Sequence, residues 1–136
     1  IGATLDLTRG VQQEARLGHR KVQAGAQFFI AQPIFDIADA GRFREAFASV
    51  AGEELALPVF FGLQILEQDG VIFSSVPDNV REELAGGRPG VDIALELYQR
   101  FQEGGLHNVY LVPPIRRGGA RNYGAAREGL AAAARL

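Results

Sequence analysis

Four times along this chain a short run of apolar residues is followed by a stretch whose apolar residues recur every three to four positions. Two of the runs are continuous: Phe28-Phe29-Ile30, and the run 57–63, Leu-Pro-Val-Phe-Phe-Gly-Leu. A strand with one wet face alternates apolar and polar residues, so an unbroken run indicates a strand covered on both faces, as in a parallel sheet. Strands alternating with helices then imply right-handed crossovers between parallel neighbours.

The expected strands are 2–7, 26–31, 57–63 and 108–112. The first helix, about 11–24, has Val11, Ala15, Gly18 and Val22 on its core stripe, and Gly25 stops it. The second, about 39–51, uses Phe43, Ala46, Phe47 and Val50. After the third strand comes a longer connection, 64–76, with a turn at Asp69-Gly70. Pro77-Asp78 opens a short helix to about residue 85, and the glycine-rich run 86–90 breaks it. The next helix, 91–103, buries Ile93, Ala94, Leu97 and Phe101, and Pro113-Pro114 ends the fourth strand. An Ala-rich helix, about 122–135, closes the chain through Tyr123, Ala126, Leu130 and Ala133.

Four strand–helix units are half of an eight-fold barrel. Such a half has two open strand edges and a bare sheet face, which makes it a poor stable monomer. A small open parallel α/β sheet, doubly wound, is the alternative reading. With 136 residues, 47% hydrophobic and 22% charged, the chain is an ordinary single globular domain. A formal net charge of −2 makes no case for nucleic acid or an anionic membrane. The longest apolar stretch, 57–66, is interrupted by Pro58, Gly62 and Gln64, well short of a membrane span. Without cysteine there is no disulfide, thiol nucleophile or thiolate metal site, and His19 and His107 are too far apart in sequence to suggest a ligand cluster. This composition and the lack of a signal pattern fit a cytoplasmic protein. The chain has no Met and opens in what reads as a strand already under way, so we expect a partial domain, 1–136, of something longer.

In α/β barrels the chemistry sits at the C-terminal ends of the strands. There the second strand ends on a lone amide, Gln32, and the third on another, Gln64. Each is either a loop cap or a ligand contact, and the two could converge on one ligand. Arg116, Arg117 and Arg121 cluster around Gly118-Gly119 after the last strand. That is where barrels often hold phosphate, although a solvated basic loop is the competing reading. Asp36 is suited to capping the helix after Gln32.

The segment 20–36, with Lys21, Ala24-Gly25-Ala26, an apolar strand, Gln32 and Phe35-Asp36, resembles the methylenetetrahydrofolate reductase family. That family has Thr where this chain has Ala31. Other segments follow in register. Gly2-Ala3 opens the first strand, with Asp6-Leu7 in the place of an Asn-Pro. The run 57–63 is similar to Ile-Pro-Ile-x-Pro-Gly-Ile, Phe61 replacing Pro. Ser75-Val76-Pro77 resembles a Val-Pro-Gly segment, and Gly105-Leu106 through Tyr110-Leu111-Val112-Pro113-Pro114 resembles the ending of reductase domains fused to a homocysteine methyltransferase.

The resemblance implies the C-terminal half of a (β/α)8 reductase barrel. Its activity would be flavin-dependent reduction of methylene-folate to methyl-folate, with FAD as cofactor and NAD(P)H as co-substrate. It further implies that Gln32 contacts the folate, with Gln64 as a second substrate contact if the two strand-end amides converge, and that Glu14, Lys21 and Arg116 contact FAD. A neutral amide can donate to and accept from the edge of a pterin at once. The family's general acid lies in the other half, so no catalytic residue is expected in this chain, and no metal. The missing barrel half or a second chain is the expected partner, the protein being a homo-oligomer. The alternative function is a non-catalytic pterin-binding or assembly module on a half-barrel scaffold.

Overall fold

A computed structural model describes residues 1–72 and 75–136. Part of the connection after the third strand, 73–74, lies outside the described residues. The strands are β1 (Gly2–Leu5), β2 (Phe28–Ala31), β3 (Val59–Gln64) and β4 (Val109–Val112). The helices are α1 (Val11–Gln23), α2 (Ile37–Ala51), α3 (Asp78–Ala85), α4 (Gly90–Glu103) and α5 (Tyr123–Ala133). The element types and order are those expected, with boundaries moved by at most two residues. The addition is a 3-10 turn at Leu7–Arg9, capped by the Asp6 carboxylate, which accepts from the Thr8 N–H. Asx capping of so short a turn leaves no periodic signal in the sequence.

The sheet is entirely parallel, with strand order β1-β2-β3-β4. A doubly wound sheet needs that order to reverse at a switch point. Here it runs straight through, and right-handed crossovers in one direction keep their helices on one face. Burial alternates accordingly. Leu5, Phe29, Ala31, Val59, Phe61 and Leu63 point into the core with Phe43, Phe47, Ala94, Leu97 and Phe101. On the opposite face Thr4 and Ile30 are exposed, while Phe28 and Phe60 are half-buried and meet edge-to-face. The architecture is therefore an open parallel α/β sheet, layered on one side only.

Two local signals act as read. Asp36 accepts from the Ala38 N–H at 2.9 Å and caps α2. Gly25, at φ 104°, turns the chain out of α1 into β2. The packing of α5 differs from expectation: Tyr123 and Leu130 are 63% and 59% exposed. Its inward residue is Gly129, where a Cβ would sit 3.2 Å from Ile65 Cδ1. An Ala-rich helix carries little apolar contrast around its circumference, so close approach at the glycine set its rotation. A second small cluster, Leu66, Val76, Val80 and Ile93, holds α3 and the loop after β3 at the C-terminal end of the sheet.

Candidate functional site

Past the ends of β1 and β2 lies a cleft of about 150 Å³, lined by Leu7, Thr8, Gln32, Pro33, Ile34, Phe35, Asp39 and Ser75. The backbone of Gln32 is fixed, its N–H donating to the Leu5 carbonyl at 2.9 Å. Its side chain is exposed, and among the described residues its amide has no hydrogen-bond partner. Ser75 adds a hydroxyl to the lining, and two other polar groups there are paired. Thr8 Oγ1 donates to Asp6 at 2.6 Å, and Asp39 pairs with Arg42 at 2.9 Å. That pairing holds the exposed Arg42 guanidinium above its ordinary pKa, by hydrogen bonding and charge. The cleft thus presents the neutral Gln32 amide and the Ser75 hydroxyl beside the apolar Leu7, Pro33, Ile34 and Phe35, which suits binding a polar planar edge.

Gln64 does not line that cleft. It is 2% exposed, and its Nε2 donates to the Val71 carbonyl at 3.0 Å. Its Oε1 is buried with no partner among the described residues. The loop after β3 folds over it and is tied to the loop after β4. The Val71 N–H donates to the Ile115 carbonyl at 2.7 Å, and Asn122 Nδ2 to Glu67 Oε1 at 2.6 Å. The hydrogen bond from Asn122, and secondarily the Arg116 guanidinium 3.3 Å away, hold the Glu67 carboxyl below its ordinary pKa. Arg116 is therefore engaged in this loop tie, with its side chain 60% exposed. Gly118 and Gly119, both at positive φ, form the turn that returns the chain to Arg121.

Glu14 and Lys21 share α1, but both are spent on one strand edge. The Ile1 and Leu5 carbonyls accept from Gln27 and Gln32 on the β2 side. Because strand groups alternate in direction, those of Thr4 and Asp6 point to the free edge of β1. Lys21 Nζ donates to the Thr4 carbonyl at 2.5 Å, and Glu14 Oε1 accepts the Asp6 N–H at 2.8 Å. Both side chains therefore serve backbone groups of the β1 edge. Glu14 is 1% exposed and its Oε2 is buried without a partner among the described residues. These two residues thus lie along the edge of β1, while Arg116 lies in the loop tie after β4.

Tyr110 was given no role from the sequence, and neither was Gly62, although both lie in the segments that carry the family resemblance. Tyr110 lies over Gly62, its register partner in β3, and its hydroxyl donates to the Ala31 carbonyl on β2 at 2.7 Å. A Cβ on Gly62 would lie 2.8 Å from Tyr110 Oη and 2.9 Å from Pro33 Cα. Burial pushes the Tyr110 phenol above its ordinary pKa of 10.0. No one-dimensional pattern shows a contact 79 residues apart; the signal was a glycine in an otherwise bulky strand, which marks a close approach.

A larger cleft of about 200 Å³ lies on the helix side, between β3, β4, α4 and α5. Its walls are apolar, including Leu63, Ile65, Leu111 and Leu130, and its one phenol is Tyr98. It is away from the strand ends and offers no convergent polar groups, so it reads as a packing gap beside the edge of β4. Among the described residues no group of three or more acidic, His or Cys side chains could hold a metal ion, and no helix is long and apolar enough to cross a membrane.

The chain matches no protein-family profile and no curated protein. Its fold is similar to that of an uncharacterized protein from Clostridium thermocellum, described as binding two copies of 5-methyl-5,6,7,8-tetrahydrofolic acid. The TM-score is 0.68 at 15% identity, over 97% of this chain and 51% of that one. The chain thus spans about half the length of the solved structure it matches, and the likeness is one of fold.

Proposed function

We propose that this chain is the C-terminal half of a (β/α)8 barrel that binds a reduced folate, with Gln32 addressing the pterin ring. The observation that carries this reading is the exposed Gln32 amide, unpartnered among the described residues, on a rigid strand end at the mouth of a cleft. Three further observations support it. The strand order is sequential with the helices packed on one face, as in a barrel opened along two edges. The similar fold belongs to a chain about twice as long that is described as binding a methylated tetrahydrofolate. The motif around Gln32 resembles that of methylenetetrahydrofolate reductases.

In this reading the pterin edge donates to and accepts from the Gln32 amide while the apolar cleft walls cover its ring. Reduction of methylene-folate with FAD and NAD(P)H is assigned to the completed barrel. With Glu14, Lys21 and Arg116 engaged as they are, no step of it is assigned to a residue of this chain. That engagement favours a second reading, a pterin-binding module without flavin.

Titration of the 136-residue chain with 5-methyltetrahydrofolate by calorimetry tests the proposal. Binding should weaken about tenfold in Gln32→Ala, as loss of about 1.4 kcal/mol of hydrogen bonding requires. Unchanged affinity in that variant, or no binding by the native chain, would refute it. The colour of the purified protein separates the two readings: yellow supports a retained flavin, colourless the module.

A further inference from the structure

We propose that Tyr110 is the positioning residue for Gln32, acting through the last carbonyl of β2. The reasoning begins with where the sheet ladder stops. β2 ends at Ala31, and the next residue is Gln32. From the β1 side, Gln32 is held by its own N–H on the Leu5 carbonyl. From the other side, the carbonyl immediately before it accepts the Tyr110 hydroxyl at 2.7 Å. Tyr110 belongs to β4, two strands away, so its side chain must pass over β3 to get there. Gly62 leaves the space: any Cβ there would meet both the hydroxyl and the Pro33 backbone.

The peptide that carries Gln32 is thereby held between β1 and β4, and the Ile34 N–H on the Gly62 carbonyl at 3.3 Å closes the bend that follows. A phenol used only to fill space would need no partner across an intervening strand. The placement satisfies the hydroxyl inside the sheet and fixes the direction in which the neighbouring amide projects.

Tyr110→Phe keeps the ring and removes the pin. The test is site-resolved amide exchange by NMR on the 136-residue chain. Exchange at Gln32 and Ile34 should rise about tenfold, while Phe29, bonded to the Pro58 carbonyl in mid-strand, stays within twofold. A uniform rise at all three sites, or none at Gln32, overturns the proposal. Gly62→Ala should reproduce the same local pattern by displacing the hydroxyl, and protection at Gln32 unchanged in that variant also overturns it.

The ligand arm rests on the folate reading. Tyr110→Phe should weaken 5-methyltetrahydrofolate binding about fivefold in the native background and not at all in Gln32→Ala, the signature of a residue acting through another. An equal loss in both backgrounds overturns the positioning role. If the native chain binds no folate, that reading falls by itself, and the exchange data still decide Tyr110.

Discussion

Gln32 and Gln64 are the same residue type at equivalent ends of neighbouring strands, and the fold uses them in opposite ways. Gln32 follows β2, where the chain bends straight into α2, and among the described residues its exposed amide has no hydrogen-bond partner. Gln64 ends β3, and the longer connection that follows returns over it to give its Nε2 the Val71 carbonyl. The contrast teaches that a strand-end amide becomes a ligand contact or a loop anchor according to the connection beyond it. A short connection leaves the amide open. A long one that packs back, here through Glu67, Asn122 and Ile115, consumes it.

The strongest way to break this comparison is to place a charge at each position. Gln64→Glu should cost about 3 kcal/mol or more at neutral pH, because a buried carboxylate without a cation is expensive. The penalty should shrink as pH falls and the introduced carboxyl takes up a proton. Gln32→Glu should stay within about 0.5 kcal/mol of the native chain, as exposed substitutions do. Urea denaturation at pH 7 and pH 5 measures both, and equal costs would mean the two amides share one environment.

A smaller effect sharpens the same contrast from the loop side. Asn122 caps α5 by accepting from the Ala125 N–H at 3.1 Å and also donates to Glu67. Asn122→Ala should cost about 1 kcal/mol, the usual value of an N-cap, and should speed amide exchange at Val71. Exchange at Gln32 should not follow, and if it did the two strand ends would be coupled.

The smallest effect comes from pH. The Glu67 carboxyl is depressed below 4.5 in the folded chain, first by Asn122 and then by Arg116. Its contribution is therefore present above pH 4.5 and is lost as pH falls through its folded pKa. Protection at Val71 should decline across that acid range while Phe29 holds. A flat profile at Val71 would show that Glu67 does not fasten the loop.

Much of this was legible in the residues. Continuous apolar runs placed the strands, and the spacing of Phe43, Ala46 and Phe47, or of Ile93, Ala94, Leu97 and Phe101, gave the buried helix faces. The cap at Asp36 and the stop at Gly25 are local chemistry. The rotation of α5 was not legible, because an alanine surface has no preferred side until Gly129 meets Ile65. The partners of Glu14 and Lys21 were not legible either. Their spacing puts them on one helix, but only the direction of the Thr4 and Asp6 backbone groups shows that both serve a strand edge.

The sequence by itself determined the alternation of strands and helices, the parallel sheet and the presence of a polar residue at two strand ends. Periodicity and capping act over a few residues, and a chain carries that information locally. Only the tertiary structure decided which amide is exposed, that the Tyr110 hydroxyl crosses Gly62 to the carbonyl before Gln32, and that Thr4 and Ile30 face outward while Gln64 is covered. Those outcomes depend on which groups compete for the same space and the same hydrogen bonds once distant segments meet.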